Sequence, residues 1–292
     1  MYKFIEGLSI TWERPKAYGW FHLVFLAASI LLATLMIIFI KKDKDNKIAL
    51  WKLKTIIGIF WAVLFVIEIL KQLLAIGHND STTKTWVYDI YNKHSFFPYV
   101  LCSTPLYVIP IYLFIPKGKV SEGILSYLGI YTLWMGGFVM FYPGDVFTTN
   151  RFISFHSIIY HSLLFSLGLF LTIRHIVRYH WKNFLAASVI FLILYSFAII
   201  GNEIIYQLRD NEKFSWAKGI NLFNMSHRKP NPMVSNIDFL AKLKPWVLTI
   251  LYIPFTFIGV FTLWSAMSGI GYLVKFIESK YKRNKHAKII KS

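Results

Sequence analysis

The chain has 292 residues, of which 56% are hydrophobic and only 16% charged, and its mean hydropathy is +0.50. Soluble domains carry charge on about a quarter of their residues, so a soluble globular fold is excluded and an all-α polytopic membrane protein is expected. The net charge of +18 does not imply nucleic acid. The basic residues sit between apolar runs and at the C-terminus, as in Lys41, Lys42, Lys44, Lys280, Lys282 and Arg283, where they act as topology signals and meet anionic head groups, and no recognition motif accompanies them.

Windowed hydropathy predicts about seven transmembrane helices, at 18–40, 53–76, 96–115, 121–142, 152–173, 183–206 and 245–274. Residues 1–17 are polar and the first apolar run is a full span long, so no cleavable signal peptide is expected. Residues 1–274 then read as a single seven-helix membrane domain, and 275–292 as a loosely ordered basic tail. The Lys and Arg distribution favours the N-terminus outside and the C-terminus in the cytoplasm. The richness in Lys, Ile, Asn, Phe and Tyr resembles that of an AT-rich bacterial genome, which points to a bacterial plasma membrane.

In chain order, the first span opens on Tyr18, Gly19, Trp20, Phe21 and His22; His22 reads either as an interfacial histidine or as a site residue. The second span holds Glu68, Lys71 and Gln72 at three- and four-residue spacing, so they share one helix face. Ionisable groups inside a span usually face the bundle interior. They read as a functional path or as a structural pair. A polar outer loop follows, over 77–95.

The third span, 96–116, is the stretch around which the bundle is expected to organise. It contains Pro98, Pro105 and Pro110 and the chain's one cysteine, Cys102. One cysteine excludes an internal disulfide and a cysteine-based zinc site. Pro105 lacks an N–H, so the carbonyl of Leu101 loses its helical partner and must find another. Span four ends on Gly136 and Gly137, which allow close helix contact, and then the Pro143-Gly144-Asp145 turn. Span five carries His156 and His161; five residues is about 140° around a helix, so the two are not expected to face one ligand. Span six ends at Asn202 and Glu203, and the loop after it carries Asn221, Asn224 and His227. Alternating apolar and amide residues there suggest a segment dipping back over the membrane surface.

With the N-terminus outside, Cys102 lies roughly 9 Å and His161 roughly 13 Å down their helices. Glu68, Lys71, Asn202 and Glu203 fall in the same half of the membrane, which predicts one polar chamber open to the outer leaflet. Such a chamber permits acyl transfer: a histidine takes the thiol proton, and Ser103, Thr104 or an amide such as Asn202 steadies the oxyanion. The plainer alternative is a small buried cysteine filling space.

The order of these features resembles that of the bacterial YwaF-type integral membrane proteins and their animal relative, a membrane acyltransferase that builds polyunsaturated ether phospholipids. The resemblance rests on Phe21-His22-Leu23, Phe97-Pro98-Tyr99-Val100-Leu101-Cys102-Ser103, Gly136-Gly137 and Tyr142-Pro143-Gly144-Asp145. It continues through Phe155 to His161, an Asn-containing segment before Lys229-Pro230, and Pro245-Trp246 before Tyr252. It implies an acyl-enzyme at Cys102 with His161 as base and His156 as the alternative. The chain departs from the family's Leu-Pro-Leu-His-Leu-Cys pattern at Tyr99, which stands where the pattern has His, and the longer stretch after Asn202 leaves Asn221 and Asn224 both open. Neither a cofactor nor a metal is implied, and the expected partners are membrane phospholipids. The competing reading is a non-enzymatic membrane protein that binds lipid or small solute, or a transporter component.

Overall fold

The computed structural model describes residues 7–42, 48–75, 77–79, 86–88, 98–143, 146–208, 220–229 and 238–291. The helices are α1 (Trp20–Phe39), α2 (Leu50–Ala75), α3 (Pro105–Phe114), α4 (Lys119–Phe141), α5 (Arg151–Ile173), α6 (Trp181–Leu208) and α7 (Pro245–Lys291). Among the described residues six of them, all but α3, are long and apolar enough to cross a bilayer. Within the loop expected between α2 and α3, β1 (Gly77–Asn79) and β2 (Trp86–Tyr88) pair antiparallel, Gly77 opposite Tyr88. The basic tail continues α7 as helix to Lys291 rather than loosening: Lys, Arg, Glu and Ala favour helix, and no Gly or Pro follows Gly271.

The third expected span is the largest departure. α3 has ten residues, a length of about 15 Å, and is preceded by a 3₁₀ turn at Leu101–Ser103. Pro105 occupies the first turn of α3, where a missing N–H costs nothing. The Leu101 carbonyl that Pro105 cannot serve accepts from the Thr104 N–H at 3.2 Å and the Thr104 hydroxyl at 2.7 Å. Pro110, inside the helix, leaves the Leu106 carbonyl open, and the Trp61 indole N–H on α2 donates to it at 2.9 Å. At the far end the Lys54 ammonium donates to the carbonyls of Leu113 and Ile115 at 2.8 and 2.9 Å, closing the helix C-terminus. Two side chains of α2 therefore complete a helix that its own prolines leave incomplete.

The bundle centre is the α4–α5 pair rather than α3. Of the spanning windows, those in α4 and α5 are 72% and 67% buried, whereas those in α1 and α2 are 28% buried. Glycine makes the pair possible. A Cβ on Gly136 would stand 2.4 Å from the Phe165 nitrogen, and one on Gly168 would stand 2.6 Å from Leu133. At Gly137 the nearest atom would be an ordinary 3.5 Å away. Around this pair α1, α2, α6 and α7 turn Trp20, Phe39, Ile59, Phe197 and Ile258 outward, an apolar surface suited to lipid. Gly136→Ala should lower stability by about 1–3 kcal/mol through overpacking, read as the thermal midpoint of the purified protein, with Gly137→Ala changing it much less. Equal shifts at the two positions would remove the close backbone approach as their cause.

Candidate functional site

Cys102 and His161 line one cavity of about 220 Å³ near the α4–α5 connection. Cys102 comes from the 3₁₀ turn that enters α3 and His161 from the middle of α5. The other walls are largely apolar, with Trp134 and Phe138 one helical turn apart on α4 and Tyr252, Phe255 and Thr256 on α7. The His161 Nδ1–H donates to the Ser157 carbonyl at 2.7 Å, which leaves the lone pair on Nε2. Among the described residues Nε2 has no hydrogen-bond partner, and no hydrogen bond joins the imidazole to the thiol. The Thr256 hydroxyl is buried without a partner on the same lining.

The segment 220–229 closes this cavity from inside the bundle, with Leu222, Phe223 and Met225 buried. Asn202 holds it with both amide atoms: Nδ2–H donates to the Leu222 carbonyl at 2.9 Å and Oδ1 accepts the Leu222 N–H at 2.7 Å. The Phe223 N–H donates to the Tyr99 carbonyl at 2.7 Å. Asn221 Oδ1 accepts the Ser226 N–H at 2.8 Å, and the Thr249 hydroxyl donates to Met225 at 3.1 Å. On the outside Glu203 pairs with Arg228 at 3.2 Å, and the Arg228 guanidinium lies 3.8 Å over the Tyr206 ring. Phe223 and Asn224 both take a left-handed backbone, φ 56°, a conformation Asn tolerates and Phe holds only under such restraint.

Three of the candidate site amides and acids are thus spent elsewhere. Asn202 and Asn221 clamp backbone, and Glu203 lies on the exposed surface; Asn224 alone of the four lines the cavity. Asn202→Ala should release two hydrogen bonds, about 1–3 kcal/mol together, and this should appear as faster hydrogen exchange at Leu222 and Phe223. Unchanged protection there would mean that the clamp does not hold the segment.

Glu68 stands in a different group. One oxygen meets His156 Nε2 at 3.0 Å; the other meets Lys71 Nζ and Gln72 Nε2, each at 2.6 Å. Glu68 and His156 are both buried. Among the described residues the Gln72 carbonyl, His156 Nδ1 and the Tyr160 hydroxyl are buried there without hydrogen-bond partners. A second cleft of about 380 Å³ opens beside Glu68 and Gln72, with Pro98 and Tyr107, and shares no lining residue with the Cys102 cavity. Where one chamber was expected, the polar groups form two clusters: His161 lines the Cys102 cavity, and His156 bonds the Glu68 that lines the second cleft.

His22 is buried away from both. Its Nδ1 accepts the Tyr18 N–H at 3.2 Å and its Nε2–H donates to the Met140 carbonyl at 2.9 Å, so both ring nitrogens tie α1 to the end of α4. The sequence reading overlooked the aromatic wall. Its signals were present in the i, i+4 spacing of Trp134 and Phe138 and the cluster Tyr252, Phe255, Thr256. Gly144 and Asp145 of the expected turn lie outside the described residues. Among the described residues no three His, Cys, Asp or Glu are grouped to hold a metal ion.

Helices of spanning length around two inward polar groups define a multi-pass membrane protein. The TMEM164 family matches residues 17–265, from the approach to α1 into α7, and the chain belongs to that family. No curated protein and no solved structure matches it.

Proposed function

We propose that this protein is a lipid acyltransferase or transacylase in which Cys102 is the nucleophile and His161 the base. The observation that carries the reading is a thiol and an imidazole with an open Nε2 on one largely apolar cavity. His161 Nε2 takes the thiol proton, and the thiolate attacks the ester carbonyl carbon of a phospholipid. The ester C–O bond breaks, and the leaving lysolipid oxygen takes the proton from His161. An acceptor hydroxyl then gives its proton to His161 and attacks the thioester; the C–S bond breaks, and the sulfur recovers the proton. The Asn224 amide on the cavity wall is the donor suited to the oxyanion, where the sequence offered Ser103, Thr104 or an amide such as Asn202. The gap between thiol and imidazole closes when substrate fills the cavity, as catalytic hydrogen bonds often tighten only in the complex.

The likeness to YwaF-type proteins and their ether-phospholipid acyltransferase relative supports the same reading, as does a bacterial plasma-membrane setting with the N-terminus outside. In that orientation the cavity faces the outer leaflet. A phospholipid with a labelled acyl chain, added to the outside of intact cells, should leave a hydroxylamine-sensitive label on the wild-type protein and none on Cys102→Ala. An unlabelled wild-type protein would sink the covalent route. The second reading, a lipid-binding protein without chemistry, is favoured by the missing thiol–imidazole hydrogen bond. It predicts that Cys102→Ala keeps full biological function.

A further inference from the structure

At the end of the bundle opposite Cys102 lies a third cavity, of about 380 Å³, between the starts of α2, α4 and α6 and the ends of α3 and α5. Among the described residues its lining carries four cations, Lys42, Lys117, Arg174 and Arg178, against one acid, Glu122. Glu122 is engaged by Arg178 at 3.3 Å. Arg174 uses Nη2 on the Ile40 carbonyl at 2.5 Å, while its Nε is buried without a hydrogen-bond partner among the described residues. Two helix N-termini open on the same space. At α2 the first intrahelical bond runs from the Leu53 N–H to Ala49, and at α4 from the Glu122 N–H to Gly118; the N–H groups of the residues before them have no carbonyl within the helix to bind. Helix N-termini and converging cations are the two elements of an anion site. The floor is apolar, with Leu53, Tyr112 and Leu125.

We infer that this cavity binds a phosphate monoester group, seated between Arg174, Lys117 and the N-termini of α2 and α4. The apolar floor accommodates carbon attached to the phosphate, as in an anionic phospholipid or a soluble phosphate ester. This site shares no residue with the Cys102 cavity and does not depend on acyl transfer.

The test is the thermal midpoint of the purified protein in non-ionic detergent, titrated separately with short-chain phosphatidic acid, short-chain phosphatidylcholine and inorganic phosphate. Phosphatidic acid should raise the midpoint saturably and phosphatidylcholine much less. A response confined to the lipid identifies a headgroup site, and an equal response to inorganic phosphate identifies a soluble ligand of the same chemistry. Arg174→Gln should weaken the response about tenfold and Lys117→Gln, at the exposed rim, about fivefold. Lys182→Gln, exposed near the start of α6 but off the cavity, should leave it unchanged. If Arg174→Gln does not fold, Lys117→Gln carries the test alone. No saturable response to any phosphate, or an equal loss in Lys182→Gln, overturns the site.

Discussion

Alanine at His161 should slow acyl transfer by about 10²–10⁴-fold, the usual contribution of a positioned general base. Alanine at Cys102 should abolish it, and the double variant should be no slower than Cys102→Ala, since a nucleophile and its base act as a unit. The measurement is the rate at which a labelled acyl chain moves from phospholipid to a lysolipid acceptor in vesicles holding the purified protein. Both side chains line open space, so the folded yield should stay near wild type. His156→Ala supplies the contrast. His156 is bonded to Glu68 rather than exposed to the Cys102 cavity, so its loss should cost stability first and rate much less. Multiplying effects in the Cys102 and His161 double variant, or a rate loss at His156 exceeding that at His161, would reverse the assignment.

Glu68→Ala should destabilise the protein by about 3–5 kcal/mol, the range for breaking a buried charge network from one side. The removed carboxylate is the shared acceptor of Lys71, Gln72 and His156, so three donors lose their partner together. Adding Lys71→Met should recover part of the loss, because the stranded cation goes with it, while His156 stays unpaired. The check is a double-mutant cycle on thermal or denaturant midpoints in detergent. Additive losses at Glu68 and Lys71 would show that the 2.6 Å contact carries no coupling.

The long helices, apart from the C-terminal end of α7, were legible to within a few residues because a run of about 20 apolar residues in hydrocarbon can satisfy its backbone only as helix. α3 was half legible: the prolines announced broken hydrogen bonding, but not that Trp61 and Lys54 would complete a short helix. The bundle centre was misread, although its signal was available. α4 and α5 have a hydropathy of 1.5, while α1 and α6, which face outward, have 2.5. In a membrane the less apolar helices go inside, where Ser, Thr, Gly and His find partners. The candidate residues divide in the same way. His161 lines the Cys102 cavity and His156 bonds Glu68, a separation that the 140° between them allows, because helix geometry is local. Which of Asn202, Asn221 and Asn224 would line the cavity depended on the path of the 220–229 backbone, which no periodicity encodes. Glu203 was misplaced because membrane depth alone says nothing about which way a side chain turns.

The shortness of α3 bears on how a lipid could arrive. At about 15 Å, α3 covers roughly half of a hydrocarbon core about 30 Å thick, and Cys102 sits where it begins. The thiol is therefore carried on the tip of a half-depth column, with extended chain and the 220–229 segment beside it instead of further helix turns. On the proposed reading, the boundary between head groups and acyl chains lies on the side of the bundle from which Cys102 is reached. A glycerol ester, which rests at that boundary, could reach Cys102 by sliding sideways along the protein with its acyl tail still in the bilayer. On the proposed reaction, a carboxyl-ester substrate would stay in the membrane throughout, with no energy spent on lifting an acyl chain into water.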